Sequence, residues 1–105
     1  MLRLFKNLYR SKENLTKDEM YEMLQNNETI VLLDVRSPQE YDEGHLPNSI
    51  NIPTYEIYSR VQKVIGDKDT IIICYCTVGV RSKKAIKMLK KLGYKNIYHL
   101  DRGIE

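Results

Sequence analysis

The chain has 105 residues, of which 42% are hydrophobic and 30% are charged, and this fits one domain with a single core and a polar surface. No apolar run approaches the roughly 20 residues that a membrane-spanning helix needs, so we expect no firm membrane association. The formal net charge is only +3 and no nucleic-acid-binding motif is found, so we expect no nucleic-acid partner.

The beginning of the chain, residues 1–14, is basic and lacks the small-residue cleavage site of a secretory signal. We interpret it as an N-terminal arm that packs on a domain formed by residues 15–105. A segment that binds a membrane surface or a partner is the alternative. Two cysteines without a secretory signal are typical of a reducing compartment, which predicts a cytoplasmic protein.

Helix and strand signals alternate along the domain. Thr16 and Glu19 form a capping box that predicts a helix, and Ser37 and Glu40 form a second one with proline at the first helical position. Continuous apolar runs suit strands that are buried on both faces of a sheet. The predicted strands are 29–35, 49–52, 70–75 and 96–100, and the predicted helices begin at residues 16, 37, 54 and 82.

This alternation predicts an α/β fold with a mainly parallel central sheet flanked by helices on both faces. Ligands bind such sheets at the carboxyl ends of the strands. The loop that follows the predicted strand 70–75 runs from Cys76 to Arg81. It therefore lies where a binding site is expected.

The two cysteines of the chain lie in and just after this strand, and we assign them different roles. Cys74 lies among isoleucines, which favours a core residue over a resolving thiol. Cys76 begins the loop and is the candidate nucleophile, with a small buried hydrophobe as the alternative. The cysteines and the two histidines, His45 and His99, are badly spaced for a four-ligand zinc site, so we expect no metal.

Cys76 needs a lowered pKa to act as a nucleophile, because an ordinary thiol is mostly protonated at neutral pH. The N-terminus of the helix predicted to begin near Ser82 supplies part of that stabilisation, and loop N–H groups aimed at the sulfur supply more. Gly79 allows the loop to curl, since glycine tolerates positive φ. Arg81 adds a charge and a bidentate donor for an oxyanion such as thiosulfate.

Other charged and titratable residues leave alternatives open. Seven lysines and arginines and no acid occupy residues 81–95, which indicates either a solvated helix face or a field that steers small anions. Asp34 and Arg36 close a predicted strand, where a structural ion pair is favoured over substrate contact. His45 could pair with the loop cysteine, but a structural role is favoured. His99 is interpreted as an ordinary strand residue.

Three stretches of the chain resemble the rhodanese-like family of single-domain sulfurtransferases. LLDVRSPQEYDEGHLPNSINIP, at residues 32–53, resembles the first motif of the family. YCTVGVRS, at residues 75–82, resembles its active-site loop, and LGYKNIYHLDRGIE, at residues 92–105, resembles its last strand and the turn that follows. In that turn Arg102 and Gly103 stand where the family usually has two glycines.

The resemblance implies a sulfurtransferase that moves sulfane sulfur from thiosulfate or a persulfide donor to a thiophilic acceptor, such as cyanide or a thiol. Cys76 would carry the sulfur as a persulfide. The partners would be a small anionic sulfur donor and a thiol or protein acceptor, and no cofactor would be needed. The substrate-binding residues would be Thr77, Val78, Gly79, Val80, Arg81 and Ser82.

Two alternatives to this function remain open. Four residues separate Cys76 from Arg81, one fewer than the resemblance implies for phosphatases of the same fold, so sulfur transfer is favoured over a phosphatase-like enzyme. Val78 and Val80 make the loop apolar, which suits a larger thiol or protein partner. A persulfide-carrying or protein-binding module with little turnover is therefore the other alternative.

Overall fold

The computed structural model describes residues 13–26, 29–100 and 102–104. These residues form one five-stranded sheet in the order β1-β5-β4-β2-β3, in which every neighbouring pair of strands is parallel. The predicted α/β class with a mainly parallel sheet is confirmed. The strands are β1 (Asn14–Leu15), β2 (Val31–Asp34), β3 (Ile50–Asn51), β4 (Ile71–Tyr75) and β5 (Asn96–Leu100).

Both predicted capping boxes are present at helix starts. Thr16 Oγ1 accepts from the N–H of Glu19 at 3.2 Å, and Glu19 Oε1 accepts from the N–H of Thr16 at 2.9 Å. Ser37 and Glu40 repeat this reciprocal pattern. None of the described helices is long and apolar enough to cross a membrane. The helices are α1 (Lys17–Asn26), α2 (Pro38–Glu43), α3 (Ile57–Val64) and α4 (Val80–Lys91), with a 3₁₀ turn (Thr54–Glu56) before α3.

The core has one layer on each face of the sheet, because successive strand side chains point to opposite faces. On one face α3 and α4 contribute Ile57 and Leu89 to a buried cluster. On the other face α1 contributes Met20 and Met23. The predicted helices on both faces are confirmed. Strand β4 lies between β2 and β5, and all of its residues are buried, so the strand that leads to Cys76 is fixed from both sides.

Two elements differ from the expectation based on sequence. The sequence does not predict β1, which pairs with β5 through Asn14 and Leu15, because a strand this short has no periodic pattern. The expected boundary between arm and domain, after residue 14, falls inside this strand, and residues 1–12 of the arm lie outside the described residues. Helix α4 begins at Val80 instead of near Ser82, so Arg81 lies in its first turn and not in the loop.

Candidate active site

Cys76 directly follows β4 at the carboxyl end of the central strand. The residues after it form a short curl that leads into α4, and Gly79 is the N-cap of that helix. Gly79 has a φ of 92°, which is the left-handed conformation that the sequence predicts and that a side chain would oppose. The curl brings the N-terminus of α4 back to the Cys76 side chain, which is 1% exposed.

Three donors surround the sulfur of Cys76. Its Sγ accepts from the N–H of Gly79 at 3.0 Å, and it lies 3.4 Å from both the N–H and the hydroxyl of Ser82. Burial raises the pKa of the Cys76 thiol, but hydrogen bonds from the Ser82 hydroxyl and from backbone N–H groups of the loop outweigh burial, so the pKa is lowered. Such donors favour the charged form of the group that they contact. The loop is therefore built to stabilise a thiolate.

Cys74 has the opposite environment. It is fully buried inside β4, and desolvation raises the pKa of its thiol. Among the described residues, no hydrogen bond to its sulfur offsets this desolvation. The structure places it in the core cluster under α3 and α4, as the sequence predicts.

Arg81 does not point its guanidinium at the sulfur. It forms a bidentate pair with Glu40, in which Nη1 lies 2.6 Å from Oε1 and Nη2 lies 2.9 Å from Oε2. The hydrogen bonds from Arg81 lower the pKa of Glu40 to about 2. Glu40 also accepts from Ser37 as part of the capping box of α2. The pair therefore joins the first turns of α2 and α4 beside the Cys76 loop.

Sequence reasoning missed the link between Glu40 and Arg81. The capping box already gave Glu40 a local role, and the two residues are 41 positions apart. The signal that could have found it is topological. Strands β2 and β4 are neighbours and parallel, so the helices that follow them begin at the same edge of the sheet.

Asp34 and Arg36 form a buried pair behind the site. Arg36 donates from Nε and Nη2 to the Asp34 carboxylate, with the shortest distance 2.7 Å, and from Nη2 to the carbonyl of Gly44 at 2.6 Å. Its guanidinium also lies 5.9 Å from the ring centroid of Tyr75. These contacts lie inside the protein and tie the end of β2 to the loop after α2, which favours the structural role for the pair.

The other residues from Thr77 to Ser82 differ in exposure. Ser82 is buried and Thr77 is half-buried, whereas Val78 and Val80 are 53% and 70% exposed. The mouth of the loop is therefore apolar, in contrast to its hydrogen-bonding floor.

His45 has the structural surroundings favoured for it, whereas His99 lies beside the site. His45 stacks on Tyr41, with ring centroids 3.6 Å apart, and its Nδ1 lies 2.7 Å from the Tyr41 carbonyl. His99 is buried, and its Nε2 lies 2.7 Å from Ser82 Oγ. The sequence indicated an ordinary strand residue at His99. The signal lies in the sheet register, because His99 is paired with Cys74, two positions from Cys76.

No group of three or more metal-ligating side chains lies together in the part of the chain that the structure describes. The turn after β5 closes the site from another side. The N–H of Ile104 donates to the carbonyl of Cys76 at 3.1 Å. Gly103 has a φ of 62°, and a Cβ there would lie 2.0 Å from that carbonyl oxygen, so only glycine fits. Arg102 also has a positive φ of 62°.

Comparisons with known proteins agree with this geometry. The family model for the rhodanese-like domain matches residues 16–105. The tRNA uridine(34) hydroxylase of Photorhabdus laumondii is 36% identical over 96 residues, covering 88% of this chain but 27% of that protein. The chain covers 22% to 30% of the length of this and two other curated relatives with the same name, so it corresponds to one part of them.

Solved structures are similar over most of both chains. A rhodanese-related protein from Thermoplasma volcanium has a TM-score of 0.76 and 32% identity, covering 89% of this chain and 87% of that one. A rhodanese-like domain protein from Staphylococcus aureus has a TM-score of 0.78 and 27% identity, covering 88% and 87%. The match in family model, sequence and fold leads to one conclusion: the chain belongs to the rhodanese-like family.

Proposed function

We propose that the chain is a sulfurtransferase that carries sulfane sulfur as a persulfide on Cys76. The observation that supports this most is the sulfur of Cys76, which faces the donors of Gly79 and Ser82 at 3.0 to 3.4 Å at the carboxyl end of the central strand. These donors lower the pKa of the Cys76 thiol and so favour the thiolate, which is the nucleophilic form of cysteine.

The reaction has two displacements at sulfur. In the first, the Cys76 thiolate attacks the outer sulfur of thiosulfate, an S–S bond forms, and the S–S bond of thiosulfate breaks as sulfite leaves with its electron pair. In the second, a nucleophile such as cyanide or a thiolate attacks the outer sulfur of the persulfide. The bond to the Cys76 sulfur breaks, and the thiolate is regenerated. Charge and electrons balance without a cofactor.

The loop residues have separate tasks in this scheme. The backbone N–H groups of Gly79 and Ser82, which contact the Cys76 sulfur, would also hold the transferred sulfur, in the way that successive N–H groups hold anions. The donor anion competes with the Glu40 carboxylate for Arg81, whose side chain is 42% exposed. A half-exposed pair of this kind costs little to open.

The exposed Val78 and Val80 favour an acceptor that has an apolar surface of its own. Side chains of this kind at the mouth of a site contribute to binding when a partner covers them. A protein thiol suits this mouth better than cyanide does. Cyanide remains the practical acceptor for an assay.

Replacement of each cysteine by serine tests the proposal. We expect Cys76→Ser to abolish formation of thiocyanate from thiosulfate and cyanide, and Cys74→Ser to keep most of it, because only Cys76 contacts the donors of the loop. Intact mass after thiosulfate treatment should show a gain of one sulfur atom in the wild type and in Cys74→Ser. Equal loss from both replacements would contradict the assignment.

The same variants separate the two alternative functions of this site. A gain of one sulfur atom with negligible thiocyanate formation identifies a persulfide carrier or binding module with little turnover. Hydrolysis of an aryl phosphate that is lost in Cys76→Ser identifies a phosphatase-like enzyme. The spacing of four residues between Cys76 and Arg81 favours the sulfurtransferase over the phosphatase.

A second candidate function is participation in tRNA uridine hydroxylation, which is favoured by the name that the curated relatives carry. The outer face of α4 is consistent with an RNA backbone, because Lys83, Lys84, Lys87 and Lys91 are all exposed there and phosphate contacts from lysine dominate such binding. If the chain binds tRNA, the expectation that it has no nucleic-acid partner is wrong.

Binding of unmodified tRNA, measured by fluorescence anisotropy over a range of salt concentrations, tests this candidate. If both lysines contact phosphates, we expect the double change Lys84→Gln and Lys87→Gln to reduce the slope of log K for tRNA binding against log salt concentration by about 2 in magnitude. The matched control replaces the exposed Lys17 and Lys63, which lie on α1 and α3, by glutamine. Equal effects of the two pairs, or no binding by the wild type, would contradict this candidate.

A further inference from the structure

A chain of buried polar contacts leads from the Cys76 sulfur to the edge of the sheet. Cys76 Sγ lies 3.4 Å from Ser82 Oγ, and Ser82 Oγ lies 2.7 Å from His99 Nε2. His99 Nε2 also lies 3.1 Å from the carbonyl oxygen of Gly79. On the other side of the ring, His99 Nδ1 lies 3.0 Å from the side-chain oxygen of Asn14. His99 and Ser82 are 1% and 0% exposed.

The hydrogens in this chain can be assigned from the neighbours of His99 Nε2. The oxygens of Ser82 and Gly79 lie beside Nε2, and the carbonyl of Gly79 can only accept. An unprotonated Nε2 would place its lone pair next to the lone pairs of that carbonyl oxygen, which is repulsive. The N–H of a protonated Nε2 instead has two oxygens that can accept it. The side-chain amide beyond Nδ1 can be turned either to accept or to donate. The proton on Nε2 therefore follows from the contacts whatever charge the ring carries.

The assignment at His99 decides where the hydroxyl hydrogen of Ser82 goes. Ser82 has one such hydrogen and lies near three groups that could accept it: the Cys76 sulfur, the Gly79 carbonyl at 3.2 Å and His99 Nε2. When Nε2 donates to Ser82 Oγ, the ring is removed as an acceptor. The negative sulfur is the stronger of the two acceptors that remain, since hydrogen bonds to a charged partner are the stronger ones.

We propose that His99 is a positioning residue for Cys76, which acts by donating from Nε2 to Ser82 Oγ and so directs the Ser82 hydroxyl hydrogen to the thiolate. The proposal rests on the proposed function, in which Cys76 is the reactive thiolate. It adds His99, a residue of β5, to the groups that set the reactivity of the Cys76 sulfur.

Charged groups from two parts of the chain lie near the ring of His99. A cavity beside it is lined by Glu13, next to β1, and by Lys83, Lys87 and Lys90 of α4. Lys90 is paired with Glu13 at 2.8 Å, so the cavity keeps an excess of positive charge.

The test measures the rate of Cys76 alkylation by iodoacetamide against pH, with mass spectrometry to confirm the modified residue. We expect Ser82→Ala and His99→Leu each to slow the reaction at neutral pH about tenfold and to shift the pH profile of the rate to higher pH. A tenfold change corresponds to the loss of one moderate charge-assisted hydrogen bond. The double variant should react no more slowly than Ser82→Ala alone, because His99 acts through Ser82.

Conservative variants keep the test decisive if His99→Leu does not fold. A glutamine at position 99 can place an N–H near the position of Nε2, whereas an asparagine reaches only the position of Nδ1. We expect His99→Gln to recover most of the wild-type rate and His99→Asn to recover little. Circular dichroism and thermal unfolding check that each variant is folded.

The possible failures are distinguishable. Wild-type Cys76 with the pH profile of an ordinary thiol would overturn the proposed function and this inference with it. A reactive wild-type Cys76 whose profile is unchanged in His99→Leu would overturn the inference alone. So would equal rates in His99→Gln and His99→Asn, or a double variant whose loss is the product of the two single losses.

Discussion

Arg36 lies in the loop after β2, and Arg81 lies just after the loop that follows β4, at the same edge of the sheet. Each is paired with a carboxylate, but the two pairs differ in exposure. The side chains of Arg36 and Asp34 are 7% and 0% exposed, whereas those of Arg81 and Glu40 are 42% and 34% exposed. The first pair is enclosed and shares its hydrogen bonds with the Gly44 carbonyl. The second can be reached by an anion from solvent.

This difference predicts that the first pair is a support and that Arg81 of the second pair is a binding group under the proposed function. A buried pair is costly to break, because the partner left behind is an uncompensated charge in the interior. A half-exposed pair contributes little, because water and salt replace the lost partner. The pair after β2 is thus a fixed support, and Arg81, in the first turn of α4, is the cation that we expect to change partners. Four changes test this contrast.

The largest effect is expected from Arg36→Leu. The Asp34 carboxylate, fully buried, would lose its partner, so we expect the free energy of unfolding to fall by about 3–5 kcal/mol. Urea unfolding followed by circular dichroism measures this. The double change Asp34→Asn with Arg36→Leu removes both charges and should recover part of the loss. A loss below about 1 kcal/mol in the single variant would place the pair in the same class as an exposed one.

A smaller loss is expected from Gly79→Ala, which tests the backbone of the second loop. A side chain at a φ of 92° costs about 1–2 kcal/mol, and the new Cβ would lie 3.4 Å from the ring of His99. Gly93→Ala is the matched control, since Gly93 has a φ of 96° and no atom within 4 Å of the added Cβ. Both should lower the thermal midpoint, and only Gly79→Ala should slow alkylation of Cys76.

Arg81→Ala should separate binding from stability. We expect the free energy of unfolding to change by at most about 1 kcal/mol and the KM for thiosulfate to rise about tenfold, because a bidentate donor to the anion is lost. Arg60→Ala is the control, since Arg60 pairs with Glu56 at a similar exposure. A fall in stability several times that of Arg60→Ala, with KM unchanged, would make Arg81 a structural residue like Arg36.

The smallest effect is the pH dependence that comes from Glu40. Arg81 lowers the pKa of Glu40 from 4.5 to about 2, so the stability that the pair contributes is complete above pH 4.5 and is lost as pH falls toward 2. We expect the stability difference between wild type and Glu40→Gln to be below about 1 kcal/mol at neutral pH. Acid denaturation of both proteins should show that difference vanish at low pH. A difference that grows on acidification would contradict the assigned direction.

Local patterns in the sequence predicted what depends on near neighbours. The capping boxes at Thr16 and Ser37 place two helix starts correctly, because those hydrogen bonds span three residues. The apolar runs identify β2 and β4, and the glycine at position 79 identifies the left-handed turn. With Cys76 at the end of the central strand, the position of the candidate site follows from these elements alone.

What the sequence did not predict depends on contacts between distant residues. The pairs Glu40–Arg81 and Ser82–His99 are separated by 41 and 17 positions, and no periodicity links them. Both depend on the order of the strands, which a list of elements does not provide. Strand β1 is too short to have a pattern, and its Asn14 reaches the site only because it lies beside β5.

The small size of β1 has a consequence for how the thiol can be tuned. This strand is an edge of the sheet, and the backbone N–H of His99 donates to the Glu13 carbonyl just before it at 2.8 Å. A short edge strand opens at a lower free energy than the core, so hydrogen exchange at the His99 amide reports how often this edge detaches. A strand or partner that binds along β1 would stabilise the contact between Asn14 and His99, and it would thereby influence the Cys76 thiol from the edge of the sheet.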